Sequence, residues 1–338
     1  MHNRLLLINF STFALMKQIN LKELAQMLSL NPSTVSRALA DHPDISPETT
    51  KKVKEAALAF HYQPNLHARY FRKRSSGQIA VILPEFNMFF IPELMKGINS
   101  VIEASGLSII IFFSNNNLAR EKEIINHCLS WKVDGVLISL SETTNNCDHL
   151  KILQSAGIPV ILMDKVLQTD FFSTVTINDK DASEAATAHL LAQGMRRLLG
   201  VFGPQSLQMT KSRLGGFSHL TQASSVQSDH FFFIPNDPNN SESLKSLIQN
   251  CDFDGIFVMS DEILFAVYSI LRKINKYPDQ VKLVAISDGI LPSQLFPPVP
   301  HIRHSGFEVG KKAAETLLMM KNDSNHLTNI VVPTELIL

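Results

Sequence analysis

The sequence predicts a small all-α head followed by an α/β body of two Rossmann-like lobes, and three observations carry that reading. Between Leu21 and Ala40 apolar residues recur at helical spacing, with a stop and a restart written between them. From Gln78 onward the pattern changes to short apolar runs alternating with helical stretches. Charge is also divided: the formal net charge is zero, yet residues 1–76 hold eleven Lys and Arg against five Asp and Glu, a net +6 that leaves −6 for the remainder. A basic head on an acidic body suits a protein that sets one end on phosphates. At 338 residues the chain is too long for one simple core and long enough for a head and two lobes.

Residues 1–15, MHNRLLLINFSTFAL, place one Arg before an apolar run too short to span a bilayer, with no small-x-small cleavage site after it. They are expected to be an upstream-start or disordered extension, with Met16 the better start. The head is expected over 16–62. Leu21, Leu24, Ala25 and Leu28 fall at i, i+3, i+4 and i+7, one apolar face of a short helix. Ser29-Leu30 makes the turn, the Asn31 side chain stands where it caps a second helix, and Pro32 takes that helix's first position. Val35, Ala38 and Leu39 face the first helix, leaving Pro32, Ser33, Ser36 and Arg37 outward, short or cationic as a groove-entering helix requires. Periodicity alone fits an ordinary helical hairpin equally well. Ile45-Ser46-Pro47-Glu48 then caps a third helix whose Val53, Ala56, Ala57 and Phe60 close the core, and a basic run, Arg69, Arg72, Lys73 and Arg74, follows.

The words LKELAQMLSLNPSTVSRAL and ISPETTKKVKEAALAFHYQPN resemble the DNA-binding head of the lactose-repressor/galactose-repressor (LacI/GalR) family of bacterial transcription regulators. The resemblance implies a homodimer on a pseudo-palindromic double-stranded operator. Pro32, Ser33 and Arg37 would read bases, with Arg37 suited to guanine O6/N7. Asn31, Thr34, Ser36, Ser46, Thr49, Tyr62 and Asn65 match positions that hold phosphates. Residues 63–76 become a hinge helix and linker whose Ala68 and Phe71 enter the minor groove, Phe71 standing where the family places a leucine wedge. The other reading of this segment is a tether whose Phe71 packs on the body.

In the body, IAVILP, LSIIIFFS, GVLISL, PVILMD, STVTI, LLGVFG, HFFFIP, GIFVM and KLVAIS read as buried strands. Helical stretches separate them at 91–105, 120–131, 180–193, 211–221, 241–250 and 262–274, which is the pattern of parallel sheets built from βαβ units. The chain is expected to cross between lobes near 163–179 and near 287–307, where Pro292, Pro297, Pro298 and Pro300 interrupt the pattern. That assigns 77–177 and 288–306 to one lobe and 178–287 and 307–338 to the other. The region resembles the family's periplasmic-binding-protein-like body, so the resemblance runs from about Met16 to the end.

A ligand of such sheets belongs at the strand carboxyl ends, between the lobes. The candidates there are Glu85, Phe89, Phe90, Ser114, Asn115, Ser139, Asp164 and Lys165, and in the second lobe Gly203 to Gln205, Arg213, Ser260, Asp261, Ser287 and Asp288. Carboxylates, hydroxyls and an arginine beside phenylalanines suit a sugar or another small polar ring. By the resemblance, Arg213 in Arg213-Leu214-Gly215-Gly216-Phe217 is the effector-holding arginine; Lys165 stands where the family has an arginine, and so lacks its planar fork.

Cys128, Cys147 and Cys251 fit no zinc or disulfide pattern and suggest a reducing compartment, consistent with a cytoplasmic, nucleoid-associated protein. No P-loop, dinucleotide fingerprint, nucleophile elbow or metal-ligand cluster is present in the sequence, and the histidines are scattered, so no cofactor and no catalysis are expected. Two alternatives stay open: a periplasmic-type sugar-binding protein, which would need a working signal peptide, and a sugar-metabolising enzyme, which would need a catalytic constellation in the cleft. Neither accounts for the head.

Overall fold

The computed structural model describes residues 19–62, 75–86, 89–234, 237–322 and 327–338; residues 1–15, Asn65, Ala68, Phe71 and the basic run from Arg69 to Arg74 lie outside the described residues. The chain forms two compact units, Met1–Arg74 and Ser75–Leu338.

The head contains α1 (Leu21–Met27), α2 (Pro32–Ala38) and α3 (Pro47–Ala59). Helices this short are marginal in water, so caps and a shared core hold them. Asn20 Oδ1 accepts from the backbone of Lys22 at 2.9 Å and of Glu23 at 3.1 Å, and the Glu23 carboxylate accepts from Asn20 N at 2.8 Å, a reciprocal cap that starts α1. Ser29 turns the chain in the left-handed region, φ 54°. The side-chain cap expected of Asn31 is absent; the residue holds the N-cap backbone geometry, Pro32 offers no N–H at the first position, and the amide stays exposed. Ser46 does cap α3, accepting from Thr49 N at 3.2 Å. Leu24, Ala25, Val35, Ala38, Val53 and Ala57 are buried together between the helices. Phe60 departs from expectation: it sits at the C-cap, beyond the turn that packs, and is 47% exposed, while Tyr62 packs on the core.

In chain order the body begins β1 (Gln78–Leu83), α4 (Ile91–Ala104), β2 (Ser108–Phe113), α5 (Leu118–Trp131), β3 (Gly135–Ile138), α6 (Lys151–Ser155), β4 (Val160–Met163) and β5 (Ser173–Ile177). It continues α7 (Asp179–Ala192), β6 (Arg197–Phe202), α8 (Gln208–Ala223), β7 (Gln227–Phe232), α9 (Pro238–Asn250), β8 (Gly255–Val258) and α10 (Asp261–Lys273). The last elements are β9 (Lys282–Ser287), α11 (Ile290–Gln294), β10 (His301–Arg303), α12 (Gly306–Asn322), β11 (Asn329–Val332) and β12 (Glu335–Ile337). They form two six-stranded sheets, ordered β11-β5-β4-β3-β1-β2 and β12-β10-β9-β8-β6-β7. Every pairing is parallel except β10 with β12. Central strands such as β1 are buried on both faces, which is why they read as unbroken apolar runs. The edge strand β7 begins earlier than the apolar run HFFFIP, because its exposed Gln227, Ser228 and Asp229 carry no apolar signal.

The assignment of the C-terminal pieces to lobes is corrected. Strand β10 pairs with β9, so the stretch before residue 304 stays in the second lobe; α12 packs on α4 and β11 pairs with β5, both in the first lobe; β12 returns to the second. The chain therefore crosses three times, after β5, after β10 and after β11. The short β10 follows Pro297, Pro298 and Pro300, and those prolines conceal it in the sequence.

Helices α4 and α12 meet backbone to backbone. A Cβ on Gly97 would strike the carbonyl of Phe307, and one on Gly310 that of Leu94. Gly97→Ala and Gly310→Ala are each expected to cost about 1–3 kcal/mol by overpacking, read as a lower urea midpoint at constant slope. An unchanged midpoint would mean that the two helices are free to separate.

Candidate functional site

The head presents one candidate surface. Pro32, Ser33 and Arg37 are exposed on α2, Thr34 and Ser36 are half-buried beside them, and Asn31 is exposed at its start. The Arg37 side chain is 57% exposed and its nearest acid, Asp44, lies 3.9 Å away, too loose a pair to hold the guanidinium. Ser46 and Thr49 are engaged with each other, Ser46 Oγ donating to Thr49 Oγ1 at 2.8 Å.

In the body the strand carboxyl ends face a cleft. Phe90, Asp164, Asp179, Arg213 and His304 line a narrow cavity that opens to solvent. Ser141, Glu142, Lys165 and the first residues of α8 line a second, and Met209 borders both. Arg213 lies in the second turn of α8 and is only 3% exposed. Its Nε and Nη2 both reach Asp179 Oδ1 at 2.8 Å, and its Nη1 donates to the Met259 carbonyl. Asp164, in the left-handed region at φ 59°, accepts from Ser139 Oγ at 3.0 Å. Burial pushes its carboxyl above the usual range, against the pull of Lys165, Ser139 and Arg213. Phe90 stacks face to face on His304, centroids 4.8 Å apart. Burial, with Arg213 and His301 nearby, drives His304 down to about 3, so it is a neutral ring.

Deeper at the ends of β8 and β9, Asp261 accepts from Ser287 Oγ and from Asp288 N, the latter at 3.3 Å. Asp288 Oδ1 accepts from Gly306 N at 2.9 Å, but its Oδ2 is buried without a partner. Ser260 begins α10 half-buried, with no cap bond from its side chain. Phe89 is 40% exposed, and its N–H donates across the cleft to Glu262 Oε1 at 3.0 Å. Glu85 is exposed and accepts from Asn116 Nδ2 at 2.6 Å.

Ser114 is not in the cleft. It is fully buried, bonded to Ser141 Oγ at 2.8 Å inside a network on Glu121 of α5. Two cleft residues escape a sequence reading confined to the strands it recognises. Asp179 opens α7 just after β5, where an acidic residue is ordinary at a helix start. His304 follows β10, the strand hidden among prolines.

Residues 76–337 match the family model for periplasmic binding proteins and sugar binding domain of LacI family, and residues 20–65 match that for bacterial regulatory proteins, lacI family. The chain belongs to the LacI family. This LacI-family protein is a DNA-binding transcription regulator, a helix-turn-helix head joined to a ligand-binding body. It is 28% identical over 307 residues to the HTH-type transcriptional regulator GntR of Pseudomonas aeruginosa, covering 89% of this chain and 88% of that protein. A solved Lac repressor dimer bound to operator and the anti-inducer ONPF shares the fold, with TM-score 0.85 at 18% identity over 95% of this chain and 98% of the other. A complex of the regulator CelR with cellobiose gives TM-score 0.69 at 21% identity, over 95% and 99%.

Burial raises both Asp261 and Asp288 to about 6, with Glu262 adding for the first and Glu93 and Asp261 for the second. Between roughly pH 4 and 6 the folded regulator thus keeps protons that the unfolded chain has lost. Stability falls as pH rises through that window, and the deficit persists above it. Asp288→Asn should therefore raise the urea midpoint at pH 7.5 and change it little at pH 4. A midpoint lowered at pH 7.5 would show that Oδ2 carries a stabilising charge.

Proposed function

We propose that this regulator is a homodimeric cytoplasmic repressor that binds double-stranded operator DNA through two heads and is controlled by a sugar held between the lobes. The observation that carries this reading is the presence in one chain of an exposed Ser33–Arg37 face on α2 and a buried Arg213 under a polar, aromatic-walled cleft. Pro32, Ser33 and Arg37 read bases; Asn31, Thr34, Ser36, Ser46, Thr49, Tyr62 and Asn65 set the register on phosphates; Ala68 and Phe71 form the minor-groove hinge. Phe89, Phe90, Ser139, Asp164, Lys165, Arg213, Ser260, Asp261, Ser287 and Asp288 belong to the effector cleft, where hydroxyls meet carboxylates and an apolar ring face meets Phe90. Ser114 acts from beneath, through Ser141.

The relatives support the sugar and the dimer: a solved CelR complex holds cellobiose, and the Lac repressor is a dimer on its operator. The edge strand β2 also presents Ile111, 44% exposed, and its Phe112 packs beside Trp131, 50% exposed, an apolar margin suited to a second copy. The protein acts by binding and turns nothing over. Effector binding biases the lobes between two arrangements and, through residues 63–76, the operator-competent population.

Selection of bound sites from random duplexes, with and without a panel of sugars, tests the whole reading. A pseudo-palindrome should be enriched, and one sugar should change its retention. Arg37→Ala is expected to relax the preference at one base pair per half-site, about 1–3 kcal/mol for a lost bidentate contact; uniform weakening across all sequences would assign Arg37 to phosphate instead. Arg213→Ala should keep operator binding and lose the response to sugar, measured by fluorescence anisotropy of labelled operator.

A further inference from the structure

The cleft also constrains the charge of its ligand, an inference that rests on the reading of this cleft as the effector site. Among the described residues Arg213 is the buried guanidinium of the body. Its Nε and Nη2 are held at 2.8 Å by Asp179 Oδ1, and its Nη1 by the Met259 carbonyl. Two sides of the fork are thus occupied, and its charge is compensated by a carboxylate that is itself 16% exposed. An oxyanion approaching this guanidinium meets Asp179 first. Lys165 is the other cation of the cleft, and it stands next to Asp164 while Glu142 lines the same cavity. Among the residues lining the two cavities, Glu142, Asp164 and Asp179 outnumber the two cations. Beside Arg213 an added anion would lie in a low-dielectric space whose nearest cation is already paired with Asp179, which is costly, and Lys165 shares its own cavity with Glu142.

We propose that Asp179 sets the charge class of the effector: by compensating Arg213 it excludes ligands that carry a phosphate or carboxylate and reserves the cleft for an uncharged, hydroxyl-rich ring. Hydroxyl groups of such a ring donate to the carboxylates that line the cavities, Asp164 and Glu142, and leave the Arg213–Asp179 pair intact. The stacked Phe90 and His304 supply an uncharged wall for the ring's apolar face.

Inorganic phosphate, the simplest oxyanion probe, tests this on the full chain by calorimetric titration. The native chain should show no phosphate binding that depends on Arg213. Asp179→Asn, which frees the guanidinium, should gain at least about tenfold in phosphate affinity, and adding Arg213→Ala should abolish the gain. Saturable binding by the native chain that disappears in Arg213→Ala overturns the proposal. So does an Asp179→Asn protein with native circular dichroism and no gain. Should Asp179→Asn fail to fold, the comparison of the native chain with Arg213→Ala decides alone. Failure of the effector reading itself would appear separately, as operator binding indifferent to every sugar, and would leave the phosphate titrations as they are.

Discussion

A guanidinium that is 3% exposed has to be compensated, and the cleft is arranged around how Arg213 meets that requirement. Removing a cation from water costs several kcal/mol even after relaxation. The cost is offset by groups from three elements: Asp179 at the start of α7, the Met259 carbonyl at the end of β8, and the turn of α8 that carries Arg213 itself. Those elements end where they do because the sheet is parallel, which delivers every strand's carboxyl end to one side. The Arg213 backbone also takes part, its carbonyl accepting from Ser183 Oγ on α7 at 2.6 Å, and Gly216 one turn later lets α8 approach the Lys180 carbonyl. The position of the charge and the packing of α7 on α8 are therefore one feature.

Two buried carboxylate groups in this body show opposite solutions. Glu121 is fully buried, yet its carboxyl is held below its ordinary value: burial would raise it, and donation from His149, Ser141 and Thr144 overcomes burial. Its oxygens are used up in fixing the segment between β3 and α6. Asp288 has one oxygen on Gly306 N and one on nothing, and its carboxyl rises to about 6. A satisfied network is rigid architecture. An unsatisfied one, next to a cleft, is the sort of deficit that a ligand hydroxyl can remove.

The sequence makes much of this legible, and the losses have physical causes. The central strands are visible because burial on both faces writes continuous apolar runs, and α1 to α3 because turn and cap residues separate their apolar stripes. Strands β10, β11 and β12 are short, and the edge strands β11 and β12 are largely exposed, so they write no continuous apolar run as the equally short but fully buried β3, β4 and β8 do, and without them the last crossings between lobes are misplaced. Among site residues, position after a strand locates Asp164, Asp261, Ser287 and Asp288, since a strand end fixes where the chain emerges. It cannot say which way a side chain turns: Ser114 also ends a strand and points into the core. Asp179 and Asn31 illustrate the remaining ambiguity, because an Asp in a first helical turn and an Asn before a proline each have a local explanation. Only the three-dimensional partner, Arg213 for one and none of the expected cap bonds for the other, chooses between local and long-range roles.

Among the described residues, hydrogen bonds that reach between the lobes are Phe89 N to Glu262 at 3.0 Å and Ser206 Oγ to Glu142 at 3.2 Å, both exposed, and the half-buried Gly306 N to Asp288 Oδ1 at 2.9 Å beside the crossover. A solvent-exposed hydrogen bond contributes of the order of 1 kcal/mol or less. Moving a two-state equilibrium from 1:99 to 99:1 takes about 5.5 kcal/mol of differential binding. The two exposed bonds are thus too weak to fix the relative arrangement of the lobes by themselves, while a ring engaging Asp164 from one lobe and Arg213 from the other contacts both at once. The energy available for switching lies in groups whose polar atoms are already oriented by burial. In this chain the Arg213–Asp179 pair is held by groups of the protein itself, so little reorganisation has to be subtracted from what a ligand contributes.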